Sequence, residues 1–277
     1  MIPLLVDDLV RSALREDLGR AGDVTTDAIV PADAVGEARL VAREEGVVSG
    51  VAVAERVFTL LDPRVRVEIQ VRDGGHVQRG TVIATLRGPL RAILTGERTA
   101  LNLVGRLSGI ASATARLTAL VAGTRAAVVD TRKTTPGLRA LEKAAVRDGG
   151  GANHRFGLDD AILIKDNHVA IAGGIAPAIR AARAHAGHLV KIEVEVDTLA
   201  QLDEALAERA DIVLLDNFTP EELRVAVERT AGRALLEASG NINDATIGAV
   251  ARSGVDLISV GALTHSVRAL DVGLDID

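Results

Sequence analysis

The 277-residue chain contains no cysteine, no tryptophan and no tyrosine, and only three phenylalanines. Without cysteine there are no disulfides, thiolate metal sites or cysteine nucleophiles. Without the larger aromatics there is little on which unstacked bases could rest. A formal net charge of −6 also argues against a general nucleic-acid binder. No apolar run is long enough to span a bilayer. The first residues, Met1 to Arg11, include Asp7 and Asp8 and lack a basic start followed by an apolar stretch. No signal peptide and no membrane partner are therefore expected, and a cytoplasmic setting is. Lysine is scarce too. Of 32 basic residues four are lysines: Lys133, Lys143, Lys165 and Lys191. In a chain that otherwise prefers arginine, a retained lysine suits a place that needs a compact ammonium on a flexible stem. Lys133 and Lys165, each following an apolar run, are the two read that way.

What is present is ordinary for a globular protein: 48% hydrophobic and 25% charged residues. The length allows one large domain or two smaller ones. Pro3 to Leu18 has helical periodicity, with Leu4, Leu5, Leu9, Ala13 and Leu14 on one side. Gly19 to Thr26 is rich in turn residues. Short alternating runs at Ala38–Ala42, Val65–Val71 and Val82–Leu86 predict strands, with Val51 to Leu61 as a helix packed on them. Pro89 to Gly123 reads as helical, with a break near Ser108-Gly109. Within it, Arg98 is either a solvated helix residue or one that reaches an active site.

From Ala126 onward the pattern becomes regular. Apolar runs at Ala126–Val129, Ala161–Ile164, Val190–Val196, Ile212–Leu215, Ala234–Leu236 and Leu257–Val260 alternate with helical stretches. The helices are expected at Leu138–Val146, Ile175–Ala186, Leu199–Ala207, Pro220–Thr230 and Ala245–Ala251. Such alternation predicts a parallel α/β sheet. Its length falls short of the ~250 residues of a full eight-fold barrel, so an open, incomplete parallel α/β barrel is expected.

Functional side chains gather where these runs end, as they do at the carboxyl mouth of a barrel. Asp130-Thr131-Arg132-Lys133 follows the first run and Lys165 the second; Asn153-His154-Arg155 lies between them after three glycines. These cations suit a substrate with several negative charges, since arginine holds carboxylates bidentately. Glu195 and Asp216 end two successive strands and suit Mg²⁺. Ser239-Gly240-Asn241 and Gly261-Ala262 end the last two, where small residues let backbone N–H groups close around a phosphate. Plainer readings stand beside these. Arg132 and Arg155 could pair with Asp130 and Asp159. Alternation puts Glu193 and Glu195 on one strand face, with only depth favouring Glu195. Gly149-Gly150-Gly151 lacks the Gly-Lys-Ser/Thr ending of a P-loop. His154 and His168 read as structural rather than as metal ligands.

The stretches EDLGRAGDVTT (Glu16–Thr26), GERTALNLVGRLSGIAS (Gly96–Ser112) and DTRKTTPGLRALEKAAVRDGGGANHR (Asp130–Arg155) resemble those of the quinolinate phosphoribosyltransferase family. So do LIKDNH (Leu163–His168), EVEV (Glu193–Val196), LLDNF (Leu214–Phe218), EASGNI (Glu237–Ile242) and SVGALTHS (Ser259–Ser266). They follow in order through nearly the whole chain. The resemblance implies a small N-terminal α/β sandwich domain (1–110 with its helical linker), a seven-stranded open barrel domain (111–264), and a C-terminal segment (265–277) returning to the first domain. It implies phosphoribosyl transfer from phosphoribosyl pyrophosphate to quinolinate with decarboxylation, in NAD biosynthesis, by a homodimer or a higher oligomer of dimers. Carried over residue by residue, Arg132, His154 and Arg155 would hold the two carboxylates, with Arg98 added by the partner subunit. Lys133 and Lys165 would contact substrate anions and the leaving pyrophosphate, and Thr131 would bind substrate beside them. Glu195 and Asp216 would serve the ribose hydroxyls and Mg²⁺. Ser239, Gly240, Asn241, Val260, Gly261 and Ala262 would cradle the 5′-phosphate. The alternatives are a same-fold transferase acting on another aromatic acid, a barrel aldolase using Lys165 or Lys133 as a Schiff base, and a non-catalytic ligand-binding barrel.

Overall fold

In the computed structural model, which describes residues 3–276, the chain begins with α1 (Pro3–Leu18), α2 (Val24–Ile29), β1 (Val35–Ala42), β2 (Gly46–Val47) and α3 (Val51–Leu61). It continues through β3 (Arg66–Ile69), β4 (His76–Val77), β5 (Val82–Pro89), α4 (Leu90–Leu120), β6 (Ala127–Val129) and α5 (Arg139–Asp148). The alternating part follows: β7 (Ile162–Ile164), α6 (Asp166–Ala172), α7 (Ile175–His185), β8 (Ile192–Val196), α8 (Leu199–Ala207), β9 (Ile212–Asp216) and α9 (Pro220–Thr230). β10 (Leu235–Ser239), α10 (Ile247–Ala251), β11 (Leu257–Ser259), α11 (Ala262–His265) and β12 (Val272–Ile276) complete it. These elements form two compact units. One comprises Met1–Ala115, Thr134–Gly150 and Thr264–Asp277; the other comprises Arg116–Lys133 and Gly151–Leu263.

The first unit is built on an antiparallel sheet in the order β12-β1-β5-β3. Along α1, Val6, Val10 and Leu14 are buried at intervals of four, the stripe of an amphipathic helix. Leu4 and Leu5, expected on that face, lie outside the described side chains. Val10, Val57, Ile83, Ile93 and Val104 are fully buried in one core. Each such side chain contributes about 1.5–3 kcal/mol. Helix α2 falls partly in the stretch read as turns. Asp23 caps it, its carboxylate accepting the N–H of Thr26 at 3.0 Å, so Asp-Val-Thr-Thr starts a helix.

Helix α4 shows no break at Ser108-Gly109, a second departure from the sequence reading. The two residues serve packing instead. The Ser108 hydroxyl accepts the Ser49 N–H at 2.9 Å and donates to the Ser49 carbonyl at 3.1 Å. A Cβ on Gly109 would stand 2.2 Å from the Arg268 carbonyl oxygen, so glycine lets the C-terminal segment lie against the helix. The Leu270 N–H then donates to the Gly105 carbonyl at 2.9 Å. That segment ends in β12, which pairs with β1 from Ala38↔Ile276 to Ala42↔Val272.

Residues 134–150 group with the first unit. The reason is the apolar face of α5, whose Leu141, Ala145 and Val146 join the first core.

The second unit is a parallel sheet in the order β6-β11-β10-β9-β8-β7, flanked by helices. Val194, Val213, Leu215 and Ile258 are fully buried, as expected of strands covered on both faces. Thr198 and Thr219 form capping boxes with Gln201 and Glu222, and Pro220 stands at the first turn of α9. β6 and β7 are the ends of the six-strand order. The expected seventh strand is reduced to one residue: Ala152 bridges to Val129, donating to the Val128 carbonyl at 2.8 Å. Beyond it, the Asn153 side-chain amide and the His154 N–H bond the Asp130 side chain.

Candidate active site

The carboxyl ends of the parallel strands place the predicted residues of the second unit at one mouth. β6 ends on Val129, and the next residue, Asp130, is fully buried. Its Oδ1 accepts the His154 N–H at 2.9 Å and its Oδ2 accepts the Asn153 amide at 2.6 Å. Asp130 is therefore not a surface partner for Arg132. It ties the loop after the three glycines to the strand end and brings His154 and Arg155 beside Arg132.

Arg132 and Arg155 lie close enough to repel each other. Burial, and then the Arg132 charge, hold the Arg155 guanidinium below its usual range. The Nε of each is closed off from solvent and has no hydrogen-bond partner. Arg155 Nη1 donates to the Ala161 carbonyl at 3.1 Å. Asp159, the alternative partner, is not used; neighbouring Asp160 accepts the Phe156 and Gly157 N–H groups. Two crowded guanidiniums with unmet donors form a ready seat for an anion with more than one carboxylate.

Lys165 follows β7 and its Nζ lies 3.1 Å from Glu195 Oε2 on β8. Its backbone is fixed by His168, whose Nδ1 accepts the Lys165 N–H at 2.9 Å, so His168 is structural. Asp216 closes β9. Its carboxyl is raised above the ordinary value by burial and by Asp197; Lys165 and Lys133 act in the opposite sense. Asp166 also raises it. The Lys133 N–H donates to Thr131 Oγ1 at 3.0 Å, turning the chain after β6. Of the other two lysines, Lys143 is buried on α5, and Lys191 precedes β8 and pairs with Asp211 at 3.0 Å.

The last strands end in strained turns. Gly240 has φ 96°, and a Cβ there would stand 2.2 Å from Asn217 Oδ1, so only glycine fits. Asn217 and Asn241 are also left-handed, at φ 57° and 50°. The Asn217 N–H donates to the Ser239 carbonyl at 2.9 Å and its amide to Asp216 Oδ2 at 2.6 Å, joining the β9 and β10 ends. Val260 donates to the Val129 carbonyl at 3.0 Å, and Gly261 leads into α11 at Ala262. These are the last two strand ends, where barrels commonly bind phosphate.

Arg98 is the exception among the predicted residues. It is exposed on α4 in the first unit. Sequence reasoning also passed over several groups at or under the mouth. Asp166 directly follows Lys165 and Asp197 stands two residues after Glu195, so position alone could have found them. Asp130 was noted at the end of the first run and as a possible surface partner of Arg132, with no role of its own. Glu237, directly after the apolar run Ala234–Leu236, gave no signal beyond being a lone carboxylate in a buried strand.

Comparison with known proteins identifies the family. Residues 23–108 match the model for the quinolinate phosphoribosyl transferase N-terminal domain, and residues 110–275 that for its C-terminal domain. The chain is 50% identical to the nicotinate-nucleotide pyrophosphorylase [carboxylating] of Mycobacterium leprae, over 97% of this chain and 96% of that one. It is 45% identical to a probable enzyme of the same name from Bacillus subtilis, over 99% and 94%. Among solved structures, NadC from Streptococcus pyogenes superposes with a TM-score of 0.96 at 44% identity, covering 100% of this chain and 99% of that one. The chain belongs to the quinolinate phosphoribosyltransferase family.

Proposed function

We propose that the protein transfers the phosphoribosyl group of phosphoribosyl pyrophosphate to quinolinate and releases CO₂, giving nicotinate mononucleotide and pyrophosphate for NAD biosynthesis. The observation that carries this reading is the half-buried pair Arg132 and Arg155, whose Nε groups are closed off from solvent and unmet. Quinolinate brings two adjacent carboxylates to such a pair; nicotinate brings one. His154 belongs to the same end of the site. Lys133 and Lys165, with Thr131, take the pyrophosphate side, and the turns at Ser239–Asn241 and Val260–Ala262 take the 5′-phosphate. Arg98 from a partner subunit completes the dicarboxylate end in a homodimer. The cytoplasm, where phosphoribosyl pyrophosphate is made, is the setting of the reaction.

The donor set near Asp216 fits Mg²⁺. Glu195 and Asp216, with Asp166 and Asp197 close enough to Asp216 to shift it, offer only oxygen. Glu195 and Asp216 would hold the ion, which when bound neutralises charge on the leaving pyrophosphate. The chain's own groups account for the rest. As the C1′–O bond to pyrophosphate lengthens, the ribose gains oxocarbenium character. Lys133 and Lys165 stabilise the charge leaving with the pyrophosphate, in positions set before the reaction. The quinolinate nitrogen forms the new bond to C1′ and becomes cationic. The adjacent C–C bond then breaks, CO₂ departs, and the electron pair stays on the ring carbon beside that cation until a proton replaces it. No protein nucleophile is needed. A Schiff-base aldolase is disfavoured, because Lys165 is half exposed and paired with Glu195, unlike a desolvated amine nucleophile.

Purified protein with Mg²⁺, phosphoribosyl pyrophosphate and quinolinate should yield nicotinate mononucleotide and CO₂, while nicotinate in place of quinolinate should not. Turnover of nicotinate alone, or of neither acid, would overturn the reading.

A further inference from the structure

Beneath the mouth, next to His154, the barrel interior holds two carboxylates for which the reaction above has no use. Glu193 lies on β8 two residues before Glu195, and Glu237 is the third residue of β10. Their side chains are 6% and 1% exposed, and that of His154 is 12% exposed. His154 Nε2 stands 2.9 Å from Glu193 Oε2 and 3.8 Å from Glu237 Oε2. On the other side of the ring, Nδ1 accepts the Arg155 N–H at 2.7 Å. The Oε1 atoms of both glutamates are closed off from solvent and have no hydrogen-bond partner.

A backbone N–H can only donate, so Nδ1 must present its lone pair to Arg155 and the ring proton must sit on Nε2. Nε2–H then donates to Glu193. The ring in this arrangement is neutral, and both its nitrogens are engaged within the protein. It could bond a substrate carboxylate only by giving up one of them. A divalent cation is the competing occupant, since donor atoms of the three side chains lie within 4.8 Å of one another. A cation would need the Nε2 lone pair while Arg155 holds the one on Nδ1, and the ring would have to lose both protons. The hydrogen bonds therefore argue against it.

We propose that Glu193 and Glu237 are positioning residues for the transferase: they hold His154 as its Nε2–H tautomer, and His154 in turn fixes the backbone from which the Arg155 guanidinium meets the substrate carboxylate. The kinetic part of this rests on the quinolinate reading of the site. Glu193 is the acceptor. Glu237 stands beside it; burial, with Glu193 next to it, raises its carboxyl to about 7, which favours the protonated acid there far more than in an ordinary glutamate. A second carboxylate charge at this depth would offset the guanidinium charge that a dicarboxylate needs.

Two experiments test the proposal. In protein labelled with ¹⁵N-histidine, a His154→Gln sample assigns the His154 signals among the six histidines. At neutral pH His154 should show one pyrrole-like and one pyridine-like nitrogen, the latter being Nδ1. An imidazolium, or the opposite tautomer, would overturn the clamp, and this result needs no substrate. In the second experiment Glu193→Leu, which removes the acceptor, should raise the quinolinate KM by about tenfold or more. The phosphoribosyl pyrophosphate KM should move by less than about threefold. Glu193→Gln, which restores an acceptor, should recover most of the loss, and Glu237→Gln, which mimics the neutral acid, should stay near wild type. A folded Glu193→Leu variant with unchanged quinolinate KM would sink the proposal. So would a stoichiometric divalent ion that is bound by wild type and lost with Glu193→Leu. If wild-type protein does not turn over quinolinate, the assigned reaction fails while the tautomer measurement still decides the clamp.

Discussion

Arg132 and Arg155 are held together against their mutual repulsion, and that arrangement sets how each can be replaced. A lysine keeps the charge of Arg155 but loses the planar fork and the Nε–H. Arg155→Lys is expected to weaken quinolinate binding by about 30-fold or more, roughly 2 kcal/mol, with a much smaller effect on phosphoribosyl pyrophosphate. Calorimetric titration of each substrate checks this; equal losses would indicate general damage. Glu237 makes a prediction about stability. Its folded carboxyl, raised to about 7, binds a proton that the unfolded chain, near the ordinary 4.5, releases. Stability from this group is complete below the unfolded value and is lost as pH rises through about 7. The ionisable groups acting on it are Glu193, His154 and Asp130. Urea midpoints of wild type should therefore fall relative to those of Glu237→Gln between about pH 5 and 8. Parallel pH profiles would show that Glu237 is not the neutral acid.

Elements were legible where one periodicity and one cap agreed. α8 and α9 carry an apolar stripe, a threonine cap and, in α9, a proline at the start, and each falls where the pattern put it. Helix α6 was missed because it buries no residue and so has no stripe to read. β12 was missed because Val-Gly-Leu-Asp-Ile is a short edge strand whose partner, β1, lies over 200 residues away, and no local pattern encodes that. Glu193 and Glu195 show the limit at the site. Alternation put both on one face, but the burial that separates them depends on the strands around them. Ser108-Gly109 was misread because glycine in a helix marks either a break or a close approach, and only the approaching segment distinguishes them. Gly109→Ala should accordingly cost about 1–3 kcal/mol, as overpacking against Arg268 does, although alanine is the better helix former. Gly187→Ala, with nothing within 4 Å of its Cβ, is the control and should be close to neutral. Equal midpoints for the two variants in urea would remove the packing explanation for α4.

At the scale of the whole molecule, the dicarboxylate end is proposed to draw on two chains, Arg98 from one and Arg132 with Arg155 from the other. Arg98→Ala and Arg132→Ala should each abolish efficient quinolinate turnover alone. Mixed under subunit exchange, they should recover about a quarter of wild-type activity, because half the dimers are mixed and each of these has one intact site. No recovery from stably mixed dimers would place Arg98 outside the partner's site. The distribution of lysines has a practical consequence of its own. Lys143 is buried and Lys191 lies at the opposite end of β8 from the mouth, so amine-directed acylation at the mouth reports on Lys133 and Lys165. With no thiol anywhere in the chain, a single introduced cysteine would carry a fluorophore without background, and both substrates could be followed by the labels they shield.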